Sequence, residues 1–275
     1  MRYVSFRRPS GIASFGRLDG EWVHDLGGEH GGSLREALAA GIDPERVNAA
    51  LPLASVALLP VIPDPAKIFC IGLNYVSHVA EMGNTQQTYP TVFTRWADTL
   101  VAHGSPLEKP MATQRFDYEG ELAVVIGRGG RAIGRDQAMA HVAGYAVFND
   151  ASVRDWQRHT SQFTPGKNFP ATGGLGPALV TPDEIADLAA LRVQTRLNGT
   201  TMQDQPLADL IFDVPTLIEY LSAFTPLSPG DVIATGTPGG VGDGRKPPVY
   251  LQPGDVVEIS IGAIGTLTNP VGEGR

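Results

Sequence analysis

The chain has 275 residues, 42% of them hydrophobic and 18% charged, with a formal net charge of −8, which describes a globular protein with one sizeable core and argues against intrinsic disorder. Without a dense Lys/Arg run, that acidic balance disfavours nucleic-acid and anionic-membrane partners and leaves a small molecule as the expected one. The single cysteine excludes an internal disulfide, the amino terminus lacks a secretory h-region, and no stretch reaches the roughly 18 apolar residues of a membrane span, so a reducing cytoplasm is expected.

The first sixty residues alternate strand-like pieces with turns: MRYVSFR, GIASFGRL and EWVHDL, with a turn at Asp19 to Glu21. SLREALAAG reads as a short helix between Ser33 as N-cap and Gly41 as stop, and PERVNAALP as another helical turn. Prolines 60, 63 and 65 in LLPVIPDPAK hold the backbone extended and suggest a linker. The expected division is a small β-containing domain over 1–62 and a main domain over 63–275.

The main region opens with the apolar strand KIFCIG, in which Cys70 is a packed thiol, then a turn at Leu73 and Asn74. YVSHVAEMG fits one or two helical turns, followed by a loop rich in Thr, Gln and Pro. His78 and Glu81, three apart, share a helix face. That is either an ordinary surface contact or acid–base geometry, in which the carboxylate raises the basicity of the imidazole and fixes its tautomer.

In FDYEGELAVVIG, the run Leu122 to Ile126 favours a strand, so Glu119 and Glu121 point to one face. Paired carboxylates either sit on a solvent-exposed edge or, if buried, need a cation. Mg²⁺ or Mn²⁺ suits such oxygen ligands. DQAMAHVAGYAVFND reads as a helix at Asp136 to Val142 leading into a strand that delivers Asp150 as a third ligand. From Ser152 to Thr172 the pattern is irregular, as in functional loops. Arg154 and Gln157, three apart, could reach whatever Asp150 holds. Lys167 is a solvated charge unless the loop folds inward, where Gly166 would permit close approach to a ligand.

Further on, TPDEIADLAAL reads as a helix starting at Thr181, LRVQTRLNGTTMQ as a hairpin turning at Asn198 and Gly199, and VPTLIEYLSAFTPL as an amphipathic helix with Pro215 in its first turn. SPGDVIATG and QPGDVVEISI each set a Pro-Gly-Asp turn before a strand, and GTLTNPV can pair with the second. TGTPGGVG offers backbone N–H groups and the hydroxyl of Thr237 but lacks the lysine of a Walker loop, and GRGGRAIG fails the dinucleotide spacing.

Together, IGLNYVSHVAEMG, FDYEGELAVVIG, GYAVFNDASVRDWQ, GKNFPATGGLGP and SPGDVIATGTPGGVG resemble the fumarylacetoacetate hydrolase family in order and over residues 66 to 271. The resemblance implies an α+β, β-rich fold: a mixed β-sheet roll with helices packed outside, in a homodimer that uses Mg²⁺, Mn²⁺ or Ca²⁺. It implies metal ligation by Glu119, Glu121 and Asp150, and a water-activating His78/Glu81 dyad on a mobile lid. Arg154, Gln157, Lys167 and Thr237 would contact substrate, with Lys167 also catalytic, and Tyr75 would join the binding set. One departure stands out: many members carry Phe-x-Lys after the lid, whereas FTRW places Arg95 there, a planar fork in place of a point charge. The first 65 residues resemble the small extra domain of some members.

The expected activity is metal-dependent hydrolysis of a carbon–carbon bond in a 2,4-dioxo acid of the acylpyruvate type, as in aromatic-compound breakdown, through a metal-stabilised enolate and histidine-activated water. The alternative is an isomerase or decarboxylase of a 2-oxo acid, oxaloacetate-like or a hydroxy-diene-dioate. A non-catalytic binder of metal and organic acid is the competing class. Trp96, Trp156 and Phe163 are candidates for the pocket wall.

Overall fold

The computed structural model describes residues 1–81 and 87–274. Among them, a 12-stranded sheet runs in the order Ala49–Pro52, Trp22–Asp25, Ala13–Asp19, Arg2–Arg7, Gly173–Val180, Val142–Asp150, Gly120–Ile126, Val232–Ala234, Ile68–Gly72 and Thr91–Arg95, with Ala57–Leu58 and Leu100–Val101 pairing beside that path. The sheet is mixed: Val232–Ala234 runs parallel to Ile68–Gly72 and antiparallel to Gly120–Ile126. A second sheet of five strands runs Thr200–Pro206, Arg192–Leu197, Val256–Ile261, Gly265–Glu273, Leu107–Lys109. This is the β-rich α+β architecture expected, and pairing is continuous from the amino-terminal strands into the main sheet through Arg2 opposite Val180.

The alternation of Gly120–Ile126 explains the packing. Leu122, Val124 and Ile126 face a core shared with Val193, Ile259 and Leu267 of the second sheet and Leu217, Ile218 and Leu221 of the helix Val214–Phe224. Ala123 and Val125 face the opposite core, with Cys70, Ala146, Phe148, Leu34 and Ile62. Both faces are covered, hence a continuous apolar run in place of alternation.

Local expectations hold where turn chemistry is strong. Asn198 and Gly199 both have left-handed φ (51° and 79°) and close the hairpin at Leu197 and Thr200. The Asp213 carboxylate caps Val214–Phe224 by accepting from Thr216 N–H at 3.0 Å. Leu34–Ala40 forms beside Ser33, which makes no side-chain cap bond.

Three expected helices differ. In PERVNAALP, Ala49–Pro52 is an edge strand, because alternate positions pack against Trp22–Asp25. TPDEIADLAAL yields only the 3₁₀ turn Pro182–Glu184, since the Asp187 side chain accepts from Ala189 N–H and closes a local turn that competes with a helix. Asp136 to Val142 contains only the 3₁₀ turn Ala138–His141, whose last carbonyl is taken by Gly127 and Arg128. The irregular segment after Asp150 holds a two-residue strand, Ser152–Val153, and two one-turn helices, Arg154–Gln157 and Thr164–Lys167. Val76–Glu81 is the expected short helix; the start of the Thr- and Gln-rich loop after it, residues 82–86, lies outside the described residues. Among the described residues no helix is long and apolar enough to cross a membrane.

Candidate active site

Period-two geometry continues past Ala123 and Val125, so Glu121 and Glu119 fall on the Cys70 side of the main sheet. The neighbouring strand adds Asp150: Gly120 pairs with Asn149, and Asp150 N–H donates to Glu119 O at 2.9 Å. The three side chains offer oxygens within 4.8 Å of one another. They are 5%, 2% and 0% exposed for Glu119, Glu121 and Asp150, which removes the solvent-edge alternative.

Gly120 lets the second sheet approach from the other side, since a Cβ there would lie 2.3 Å from Thr195 Oγ1. Through that opening Gln203 accepts from Gly120 N–H at 3.0 Å and donates to Thr237 Oγ1 at 2.8 Å, while Thr237 donates to Gly120 O at 3.0 Å. Thr237 is thereby fixed beside the acidic strand.

Cations thread the carboxylates. Lys167 Nζ donates to Glu119 Oε2 and Asp150 Oδ2, both at 2.7 Å, and to Asp150 O at 3.0 Å, which uses all three of its N–H groups. Arg154 bridges Asp117, through Nε at 2.9 Å, and Glu119, through Nη1 at 2.6 Å, and reaches Gln157 Oε1 at 3.1 Å. Arg95 pairs with the remaining oxygen of Asp150. Burial pushes the Glu119 carboxyl upward, but Lys167 and Arg154 outweigh it and hold the group down at about 2. Burial likewise works against the Lys167 ammonium, and Asp150 and Glu119 more than restore it. Glu121 is different: burial and then the charges of Asp150 and Glu119 drive its pKa well above the ordinary value, against which stand the Lys167 charge and one hydrogen bond, from Gly236 N–H at 2.8 Å. Among the described residues it makes no ion pair. Counted with all four ionised, the buried carboxylates Asp117, Glu119, Glu121 and Asp150 exceed the three cations Arg95, Arg154 and Lys167 by one negative charge, which is the excess that drives the Glu121 carboxyl towards its neutral form when no cation is bound. An all-carboxylate donor set with that excess fits a hard divalent cation.

A cavity of about 460 Å³ opens onto this cluster, and His78, Glu119, Glu121, Arg154, Gln157, Lys167 and Thr237 line it. His78 Nδ1 lies 3.5 Å from Glu81 Oε2, the outer limit of a hydrogen bond, and among the described residues Nε2 has no hydrogen-bond partner. Gly240 N–H reaches both Glu81 oxygens at 3.1 Å. Burial favours the neutral Glu81 carboxyl, but His78 and Gly240 outweigh it and lower its pKa.

Other expected contacts lie elsewhere. Arg95, expected at the substrate, is fully buried behind Asp150, with Ala151 O, Thr99 and Thr172 also accepting from it. Tyr75 is likewise fully enclosed and does not line the cavity. Glu81 stands behind His78, and Asp150 behind Lys167. Phe163 lines the cavity, whereas Trp96 and Trp156 border a separate apolar groove. The close approach at Gly166 is to protein and not to a ligand: a Cβ there would sit 2.4 Å from Gln157 N. The sequence reading passed over three residues. Asp117 continues the 117, 119, 121 alternation; Arg158 follows Arg154 at a spacing of four, just past the helix Arg154–Gln157; Gln203 carries no local signal.

The family described as fumarylacetoacetate (FAA) hydrolase C-terminal matches residues 67–272. An oxaloacetate tautomerase of Bacillus subtilis (strain 168) is 45% identical over 224 residues, covering 80% of this chain and 74% of that one. A mitochondrial oxaloacetate tautomerase of Xenopus laevis is 43% identical over 220 residues, covering 79% and 69%. The solved structure of a fumarylacetoacetate hydrolase from psychrophilic Exiguobacterium antarcticum superposes with a TM-score of 0.88 at 37% identity over 100% of both chains. The expectation of a carbon–carbon hydrolase is corrected by the two tautomerases, whose activity is isomerisation: the enolate that bond cleavage would release is also the intermediate of tautomerisation, so one constellation of base and fixed charges can serve either outcome. With sequence profile, relatives and fold in agreement, the chain belongs to the fumarylacetoacetate hydrolase family.

Proposed function

We propose that the chain is an isomerase that interconverts the enol and keto forms of a 2-oxo dicarboxylic acid of the oxaloacetate type, using a divalent metal. The observation that carries this reading is a single base, His78, backed by Glu81, facing a fixed cluster of buried charges across one small cavity. The two tautomerase relatives support it.

In the enolising direction, His78 Nε2 takes a proton from C3 and delivers it to the 2-oxo oxygen, and in the reverse direction it takes the enol O–H proton and returns it to C3. Only C–H and O–H bonds change, so no water is consumed and no fragment leaves. Glu81 holds the imidazole and steadies its charged form. Arg154 and Lys167 keep positive potential at the end where negative charge builds up, preorganised in a dry setting. Lys167 serves as a fixed cation and not as a base, since all its N–H groups are committed. Gln157 keeps its amide N–H groups for the substrate, its oxygen being bound by Arg154. Mg²⁺ or Mn²⁺, with Ca²⁺ as the third option, held by Glu119, Glu121 and Asp150 would supply Lewis-acid polarisation of the 2-oxo acid. A cytoplasmic homodimer completes the reading; buried, unpaired Cys70 and the apolar groove at Trp96 and Phe169 support it.

The test follows the decay of the enol absorbance of freshly dissolved oxaloacetate with Mg²⁺ or Mn²⁺ and after chelation, with chromatography of the products. The expected result is faster ketonisation with intact oxaloacetate recovered, abolished by chelator. Release of carbon dioxide at the rate of enol loss, or no acceleration, refutes it.

A further inference from the structure

The cavity is electrically polarised in a way that the acidic cluster alone does not explain. Its inner end carries the one uncompensated negative charge described above. Its rim carries the opposite imbalance: Asp243, only 4% exposed, is shared by two arginines, with Arg115 Nη2 on Oδ1 at 2.7 Å and Arg158 Nη2 on Oδ2, and the hydroxyl of Tyr250 donates to Oδ1 at 2.5 Å. One carboxylate therefore faces two guanidinium groups and a further donor. Of the two arginines only Arg158 lines the cavity, and apart from Asp243 no protein partner is described for it, so most of its five N–H donors remain for a ligand.

This rim is built, not incidental. Asp243 and Gly242 donate their backbone N–H groups to the Asp117 carboxylate at 2.9 and 2.8 Å, and Arg154 grips the same carboxylate. Arg154 and Gln157 stand at the two ends of the one-turn helix Arg154–Gln157, and Arg158 is the residue that caps it, its N–H donating to Asp155 O and Trp156 O. The inner and outer charged groups are thus tied at a fixed offset.

We propose that Arg158 is the specificity-determining residue that binds the distal carboxylate of the substrate, selecting 2-oxo dicarboxylates over 2-oxo monocarboxylates. The inference rests on the proposed function and deepens it. With a divalent cation added, the inner end changes from one negative to one positive charge, which suits the 2-oxo carboxylate end. The rim supplies one more positive charge. Two separated positive charges match a dianion, and a guanidinium fork suits a planar carboxylate better than a point ammonium does.

The test compares the full-length wild type with Arg158→Gln and Arg158→Lys in two measurements. The first is kcat/KM for ketonisation of oxaloacetate and of its 4-methyl ester, which lacks the distal charge. The second needs no turnover: calorimetric binding of malate and of lactate to the Mn²⁺-loaded protein. The wild type should prefer the doubly charged member of each pair by about tenfold or more. Arg158→Gln should erase most of that ratio, chiefly through KM, and Arg158→Lys should keep part of it. Equal ratios in wild type and Arg158→Gln overturn the proposal, as does a wild type with no preference for the dianion. If malate binding depends on Arg158 while ketonisation is absent altogether, the selectivity stands and the tautomerase reading falls.

Discussion

Gly166→Ala sets two physical effects against each other. Gly166 lies in the one-turn helix Thr164–Lys167 and its φ is not left-handed, so alanine is allowed on backbone grounds and should favour the helix by about 1 kcal/mol. Packing opposes it: the new Cβ would stand 2.4 Å from Gln157 N and 2.5 Å from its Cα and Cβ. Carbon contacts settle at about 3.5–4.0 Å, so the two short helices must part by roughly 1 Å. Overpacking of this kind costs about 1–3 kcal/mol, which outweighs the propensity gain and lowers Tm by a few degrees. Lys167 is the next residue, and its contacts to Glu119 and Asp150 at 2.7 Å would stretch beyond hydrogen-bond range. A shift of that size in a catalytic site lowers turnover by about 10²-fold. The assay pairs thermal unfolding with the rate of oxaloacetate ketonisation. A raised Tm with wild-type turnover would refute the argument, because propensity would then dominate and the helix contact would not set the position of Lys167.

Three further outcomes are expected. Glu121→Gln should raise the Tm of the chelated protein, since it removes the buried carboxylate that lacks an ion pair, and should shrink the stabilisation given by added Mn²⁺; both are read by differential scanning fluorimetry. His78→Ala should lower turnover by about 10²-fold or more while Mn²⁺ affinity, measured by calorimetry, stays near that of the wild type. Asp243 is pulled down to about 2 from an ordinary 3.8: burial opposes this, and Tyr250, Arg115 and the charges of Arg154 and Arg158 prevail. A depressed pKa gives stability that is present above the unfolded value and lost as pH falls through the folded one. The Tm difference between wild type and Asp243→Asn should therefore be full above about pH 4 and vanish as pH approaches about 2.

What the sequence revealed depended on how local the signal was. Glu119 and Glu121 were legible because strand alternation needs only neighbouring residues, and the apolar run after them fixed the strand. That Asp150 joins them depends on an antiparallel register between two strands, which the residues alone suggested but did not fix. The spacing of three that linked Arg154 with Gln157 extends to four and Arg158, a step the reading did not take. Asp243 lies 85 positions beyond Arg158 in a glycine-rich turn, and Gln203 arrives from the second sheet; both are long-range meetings without a sequence trace. The motif around Arg95 gives no depth: only the fold shows that Asp150 stands in front of it. Reaction type was the least legible. Hydrolysis and tautomerisation share the enolate and the base, and they part on whether water is admitted, which the walls decide. Misread helices were all short, where a single side-chain turn or strand partner outweighs propensity.

Cys70 sits on Ile68–Gly72 directly beneath the acidic cluster, completely enclosed, and burial followed by the nearby Asp150 and Glu121 charges pushes its thiol well up. The native molecule is therefore silent towards maleimides and other alkylating reagents. Because that sulfur is the only one of its kind in the chain, its modification rate becomes a built-in clock for opening of the central strands. A fluorophore attached through a cysteine introduced at the surface would, for the same reason, mark one place alone.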